Sequence, residues 1–167
     1  FNHIFRGTLS PTKMDQSKVN EKAKSVNLKS NSNKEFFLIH GYTGSPTDFR
    51  NLGNYLHNRF GANVKILRLK GHGTKIDDLN NLEYKDFLEQ VEDELIKDLE
   101  KGREIVIGGY SFGAQLALIL ATKYNIRGVF TISLPHKLKF PFNIPFIGLL
   151  GIFKKKSPLR HRNCCRF

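Results

Sequence analysis

Short apolar runs alternate with longer amphipathic stretches over the middle of the chain. The short runs are rich in β-branched and aromatic residues, as in strands that are covered on both faces of a parallel sheet. Four such runs are present: residues 36–39, 63–69, 105–107 and 127–133. Between them, apolar spacings of three and four predict helices over residues 49–60 and 83–101, and residues 112–124 are strong helix formers. This alternation predicts an α/β fold: a parallel sheet with helices on both faces.

Capping and turn residues mark the ends of the first two helices. Ser45 and Asp48 match a capping box, and Pro46 suits the first helical position. Gly61 and Gly102 follow the last apolar positions of the two helices and fit their ends. The boundaries therefore agree with the apolar periodicity.

Outside the core, the two ends of the chain have a different character. Residues 138–153 are apolar but interrupted by Pro141 and Pro145, and we interpret them as the start of a lid over an apolar pocket. One alternative is a segment that lies against a membrane surface. The other is a part of the core that is exposed because the residues that would cover it are lost. The predicted organisation is a basic flexible arm (1–34, with a weak strand pattern near 3–9), an α/β core (35–137), the lid or cap start (138–153) and a basic tail (154–167).

The formal net charge of +12 is concentrated at the two ends. Residues 1–34 have a net charge of +5 and residues 151–167 one of +6, so the segment between them is nearly neutral. Basic ends bind anionic lipid or nucleic acid without specificity, although solvated tails are the more common case. We therefore expect no nucleic-acid partner, and peripheral membrane contact stays an alternative.

Cysteine usage and the absence of long apolar runs suggest a cytoplasmic location. Cys164 and Cys165 are adjacent in the tail, a spacing that fits neither a disulfide framework nor a metal site. No secretory-type apolar region and no run of about 20 apolar residues is present. We expect no metal and no cofactor. The chain begins with Phe1 and its only methionine is Met14, which fits a processed product or a fragment.

The candidate chemistry lies in Gly109-Tyr110-Ser111-Phe112-Gly113, a G-x-S-x-G pentapeptide between a predicted strand and a predicted helix. This context is the one that a nucleophile elbow requires, with Ser111 as the nucleophile. The turn is so tight that its flanking positions must be nearly free of side chain, which the glycines provide. The pentapeptide alone also fits an ordinary glycine-rich turn.

A second loop, residues 40–44, follows the first strand and is expected at the same edge of the sheet as Ser111. Attack on an ester carbonyl produces an oxyanion that needs two preorganised N–H donors. One donor is the amide of Phe112, the residue after the nucleophile. Tyr42 is the natural second donor, because Gly41 lets the backbone approach a substrate closely.

Three segments together resemble the α/β-hydrolase family. They are FLIHGYTGSPTDF, RLKGHG and GYSFG, in this order and spacing. The resemblance covers about residues 35–150 and is strongest to the bacterial and archaeal carboxylesterase and monoacylglycerol lipase branch. It implies a serine esterase that acts on small acyl esters through an acyl-enzyme on Ser111, with the amides of Tyr42 and Phe112 as the oxyanion hole. His40 lies in the family's HG motif, which implies a structural role, and His72 in its GHG loop is expected to hold that loop.

The chain departs from the family pattern after the serine. The triad acid and histidine follow the nucleophile in this fold, yet the last acidic residue is Glu104, and only His136 and His161 follow Ser111. We therefore expect a C-terminally incomplete fold without the triad acid and base, and a weakly activated serine. The alternative is a non-catalytic module of the same fold that binds a lipid or acyl ligand.

Overall fold

The computed structural model describes residues 19–80 and 82–135 and contains a five-stranded sheet. The spatial order of the strands is β1-β3-β2-β4-β5, and β2, β3, β4 and β5 run parallel. The four strands predicted from the sequence are confirmed. The strand bounds are β1 (Val26–Leu28), β2 (Lys34–Ile39), β3 (Asn63–Leu67), β4 (Glu104–Tyr110) and β5 (Gly128–Ile132).

Three α-helices connect the parallel strands, as the sequence predicted. They are α1 (Arg50–Phe60), α2 (Tyr84–Glu100) and α3 (Phe112–Lys123). The capping box is confirmed: the Asp48 carboxylate accepts from the Ser45 amide at 3.3 Å, and the Ser45 hydroxyl accepts from the Thr47 amide. This box opens a 3-10 turn, Pro46–Phe49, that leads directly into α1. Gly61 ends α1 with φ 59°, a conformation that glycine adopts without strain.

The helices cover both faces of the sheet because successive side chains of each strand point to opposite sides. Phe37 and Ile39 of β2 belong to the larger core cluster, in which they pack with residues of α2 and α3. Leu38 points the other way and packs with Phe49 and Leu56 beside α1. Among the residues that the structure describes, no helix is long and apolar enough to cross a membrane.

The sheet begins earlier than the sequence predicted. β1 lies inside the range assigned to a flexible arm, and it pairs antiparallel with β3, so the sheet is mixed at this edge. Val26 and Leu28 pack on the α1 side of the core, and the Asn63 side chain links residues 30–34 to β3 through bonds to Ser30 and Ser32. A three-residue strand is too short to show a periodic pattern, which explains why it was not predicted. The possible strand near residues 3–9 lies outside the described residues.

A cluster of charged side chains lies where β2 and β3 begin and α2 ends. The Lys65 ammonium contacts the carboxylates of Glu94 and Asp98, each at 2.7 Å. Glu35 is buried, and its nearest cation, the Arg103 guanidinium, is 3.8 Å from its carboxylate. Burial, with a further contribution from the Asp98 carboxylate, raises the pKa of Glu35 to about 7. We call these five residues the basal ion cluster.

The raised pKa of Glu35 predicts a pH-dependent stability. The folded state keeps this proton up to about pH 7, whereas the unfolded chain releases it near 4.5. Its contribution is therefore complete below pH 4.5 and is lost as the pH rises to 7. We expect Glu35→Gln to flatten this fall and to raise Tm at pH 8 by about 5 °C or more. Thermal unfolding of both proteins from pH 4.5 to 8 checks this, and parallel Tm curves would contradict it.

Candidate active site

Ser111 alone connects β4, which ends at Tyr110, to α3, which begins at Phe112. Its backbone has φ 52° and ψ −111°, and Ser133 is the only other described non-glycine residue with positive φ. Such a conformation costs about 1–3 kcal/mol and persists only where the surroundings enforce it. Here the Ser111 amide donates to the Ile132 carbonyl at 2.9 Å, which ties the bend to β5.

The two glycines on either side of Ser111 are required by close backbone contacts. A Cβ atom at Gly109 would lie 2.2 Å from the carbonyl oxygen of Gly113. A Cβ atom at Gly113 would lie 2.2 Å from the carbonyl oxygen of Ile39, at the end of β2. The steric reason that the sequence suggested for these glycines is therefore confirmed. The lack of a side chain at Gly113 lets α3 pack directly against β2.

The loop after β2 passes in contact with the bend. A Cβ atom at Gly41 would lie 3.1 Å from the Tyr110 ring and 3.5 Å from the Ser111 Cβ atom. The loop turns back at once, because the Gly44 amide donates to the Gly41 carbonyl at 3.1 Å. The two segments singled out from the sequence thus meet at the carboxyl edge of β2 and β4, where the order of the strands reverses and open α/β sheets bind ligands.

The two candidate donor residues, Tyr42 and Phe112, are packed against each other. Their rings are 5.7 Å apart and perpendicular, and Phe87 contacts the Phe112 ring from α2 at 5.4 Å. Within residues 19–80 and 82–135, neither amide donates a hydrogen bond. A helix leaves its first amides without intrahelical partners, which accounts for Phe112. Both amides therefore keep their capacity to bind an acceptor.

His40 is buried between the loops that follow β2 and β3. Its Nε2 atom accepts from the Leu69 amide at 3.1 Å, so the ring proton lies on Nδ1, which donates to the Gly41 carbonyl at 2.8 Å. Burial, with a smaller contribution from His72, lowers the pKa of His40 to about 3. The ring is therefore neutral and links the two loops.

His72 lies in the loop after β3 and contacts the loop after β2. Its Nε2 atom is 2.6 Å from the Tyr42 carbonyl, and its Nδ1 atom is 2.9 Å from the Lys70 carbonyl. The His40 ring packs against it edge-on, with centroids 4.8 Å apart. Burial lowers the pKa of His72. Both ring nitrogens thus face main-chain carbonyls rather than a serine hydroxyl.

The structure brings Ser111, Tyr42 and Phe112 into neighbouring segments, and the residues that it describes after the serine supply no triad partner. Residues 112–135 contain no carboxylate and no histidine. His136 and His161, the predicted lid (138–153) and the basic tail (154–167) lie outside the described residues. In the part of the chain that is described, no three His, Cys, Asp or Glu side chains are grouped so that they could hold a metal ion.

Gln115 is a residue near the bend that sequence reasoning missed. It lies one turn after Ser111 on α3, is buried, and donates through Nε2 to the Pro135 carbonyl at 3.3 Å. Its Oε1 atom has no partner among the described residues. The sequence contains a signal for this residue, because Gln115 is the one polar side chain in the run from Phe112 to Ala121.

Two proteins of known activity are similar to the chain in sequence. A thermostable monoacylglycerol lipase from Bacillus sp. (strain H-257) is 33% identical over 97 residues, which is 58% of this chain and 38% of that protein. A carboxylesterase from Bacillus subtilis (strain 168) is 31% identical over 133 residues, or 75% of this chain and 53% of the relative. The chain therefore spans about half, or less, of the length of these two relatives.

Solved structures and a family model identify the same fold. The structure reported for LipS and LipT, two metagenome-derived lipolytic enzymes, has a TM-score of 0.67 at 24% identity, over 74% of this chain and 50% of that one. The monoacylglycerol lipase of Paleococcus ferrophilus has a TM-score of 0.58 at 19% identity, over 80% and 51%. The sequence model of the alpha/beta hydrolase family matches residues 36–161 of this chain. The chain therefore belongs to the alpha/beta hydrolase family.

Proposed function

We propose that this protein is a serine hydrolase of carboxylic esters that works through an acyl-enzyme on Ser111. The observation that carries the proposal is the backbone of Ser111, which is held at φ 52° between a strand and a helix. A strained non-glycine residue at such a bend points to function, because stability alone favours glycine there. Family membership and the lipase and esterase relatives agree with a hydrolase of this kind.

In the proposed reaction, the Ser111 Oγ atom attacks the acyl carbonyl carbon and forms a new C–O bond. The carbonyl oxygen becomes an oxyanion, which the amides of Tyr42 and Phe112 would hold. The positive end of the α3 dipole favours the same charge. Collapse of the tetrahedral intermediate breaks the bond to the alcohol, which leaves with a proton. Water then attacks the acyl-enzyme, and the carboxylic acid is released.

Removal of the proton from the Ser111 hydroxyl requires a base, and we assign this role to none of the described residues. His40 and His72 hold main-chain groups of the two loops. His57 is occupied with the Ala62 carbonyl at 2.8 Å, at the far end of α1. A serine without a general base is a weak nucleophile. We therefore expect the 167-residue chain to react slowly.

The substrate class follows from the same proposal. The two curated relatives are a monoacylglycerol lipase and a carboxylesterase, so a small acyl ester is the substrate that we assign here. The partly buried rings of Tyr42 and Tyr84, which pack against the buried Phe112 ring, would provide apolar surface for an acyl chain.

Labelling with a fluorophosphonate probe tests the role of Ser111. We expect slow, stoichiometric labelling of the wild-type chain and its complete loss in Ser111→Ala. Ser133→Ala is the matched control, since Ser133 has the same φ of 52° but is followed by no described helix. Mass spectrometry of the labelled peptide identifies the modified serine.

Three results would count against the proposal or part of it. Labelling that survives in Ser111→Ala would contradict the assignment of Ser111 as the nucleophile. Fast labelling of the wild type would contradict the expectation that Ser111 lacks a general base. Tight binding of a fatty acid with no labelling at all would favour the non-catalytic acyl-binding module.

A further inference from the structure

His72 makes a contact that joins the two loops at the candidate active site. Its Nε2 atom is 2.6 Å from the carbonyl oxygen of Tyr42, a residue of a different loop. The ring is almost fully buried and is surrounded by the rings of His40, Tyr42 and Phe87 at centroid distances of 4.8–5.9 Å. The contact is therefore largely shielded from solvent.

The backbone of His72 is anchored independently of this contact. Its amide donates to the Leu69 carbonyl at 3.2 Å, and its carbonyl accepts from the Arg68 guanidinium at 2.8 Å. Gly71 and Gly73 on either side have φ of 71° and 72°, which only glycine adopts readily. The backbone of His72 is thus anchored by the residues that follow β3, so its ring can support the neighbouring loop.

A neutral imidazole carries one N–H, so it can donate to only one of the two carbonyls that it faces. The contact to Tyr42 is the shorter, at 2.6 Å against 2.9 Å to Lys70. The shorter contact favours the tautomer with the proton on Nε2, in which the Tyr42 carbonyl is the acceptor.

The effect of this bond on the Tyr42 amide follows from the planarity of peptide groups. The Tyr42 N–H belongs to the same plane as the Gly41 carbonyl, which is held by the His40 Nδ1–H and the Gly44 amide. The Tyr42 carbonyl belongs to the next plane. The first plane sets the direction of the Tyr42 N–H, and a hold on the second plane restricts the φ and ψ rotations of Tyr42 that would tilt the first.

From this geometry we propose that His72 is a positioning residue, whose Nε2–H holds the Tyr42 carbonyl and thereby orients the Tyr42 amide toward the oxyanion. The inference rests on the proposed function, in which this amide stabilises the charge that develops during attack by Ser111. Removal of a complete oxyanion-hole donor lowers kcat by about 10²–10³. Misorientation of the donor is expected to lower the rate by less, about 10-fold.

Two amide substitutions separate the contact to Tyr42 from the contact to Lys70. Counted from Cβ, the side-chain nitrogen of glutamine corresponds to Nε2 of histidine, and that of asparagine to Nδ1. His72→Gln therefore keeps a donor for the Tyr42 carbonyl, whereas His72→Asn keeps one only for the Lys70 carbonyl. His57→Asn is the control for loss of an ordinary histidine, because the His57 ring bonds the Ala62 carbonyl just after α1 rather than either of the two loops.

The rate of fluorophosphonate labelling of Ser111 is the first readout. We expect His72→Asn to lower the maximal labelling rate about 10-fold with an unchanged half-saturating probe concentration, and His72→Gln to recover most of that rate. Tm is measured for every variant, because a purely structural role would lower the rate and Tm together. Equal rates for the glutamine and asparagine variants would overturn the proposal.

A second readout does not depend on catalysis. Nitrogen-15 NMR of the wild-type ring should show the proton of His72 on Nε2, and exchange of the Gly44 amide, which closes the loop, should accelerate in His72→Asn and slow again in His72→Gln. A proton on Nδ1, or unchanged exchange in His72→Asn, would overturn the inference. If Ser111 is not labelled at all, the proposed function fails, while this arm still decides whether His72 holds the loop.

Discussion

Gly113→Ala is expected to destabilise the protein by more than about 3 kcal/mol and to lower Tm by more than about 10 °C. The new Cβ atom would lie 2.2 Å from the Ile39 carbonyl oxygen and 2.5 Å from that of His40. Both are backbone atoms, so no side-chain rotation relieves the overlap. α3 must move away from β2, and the loop that carries Tyr42 moves with it.

Gly128→Ala provides the control for Gly113→Ala. An added Cβ atom at Gly128 would meet nothing closer than the Val106 methyl groups, at 3.9 Å, an ordinary contact distance. We expect its Tm to stay within about 3 °C of the wild type, since surface changes of this kind stay within about 0.5 kcal/mol. Thermal unfolding followed by circular dichroism measures both variants. Equal Tm values for the two would contradict the contact between α3 and β2.

Lys65→Met is expected to destabilise the protein by about 3 kcal/mol, because it leaves the buried Asp98 carboxylate without its buried cation. The Lys65 side chain is only 13% exposed, and it lies 2.7 Å from Asp98, which is 6% exposed. Methionine replaces much of the apolar length of the lysine, so lost charge rather than lost volume accounts for the effect. Urea denaturation at pH 7 gives the free energy of unfolding.

Lys101→Met tests the role of burial in this prediction. Lys101 also lies 2.7 Å from the Asp98 carboxylate, but its side chain is 61% exposed. An exposed ion pair contributes about 0.2–1 kcal/mol, so the expected loss is several times smaller than for Lys65→Met. Similar losses for both variants would show that burial does not determine the energetics of the basal ion cluster.

The strands and helices of the core could be predicted because their patterns are local. β4 is a continuous apolar run, α2 repeats apolar residues along one side, and Ser45 and Asp48 lie at capping spacing. β1 could not be predicted in the same way. Its three residues become a strand only through pairing with β3, and this partner lies more than thirty residues later in the chain.

The candidate site was predictable to the extent that it depends on motifs. The glycines beside Ser111, and the meeting of its bend with the loop after β2, follow from the G-x-S-x-G pattern and from parallel topology. The hydrogen bond from His72 to the Tyr42 carbonyl was not visible, because it depends on how the side chains of two loops pack. The sequence indicated that His72 holds its own loop, and the structure shows that its ring also contacts the neighbouring loop.

The bend at Ser111 is assembled from parts of the chain that are made at different times. Gly113 rests on the Ile39 carbonyl from β2, and the Ser111 amide is held by the Ile132 carbonyl from β5. During synthesis on a ribosome, the serine therefore lacks one of the contacts that hold this conformation until residue 132 has emerged. We expect a nascent chain that carries only the pentapeptide to be labelled more slowly by a serine-directed probe than the assembled fold, so timed exposure to the probe would record when tertiary assembly is complete.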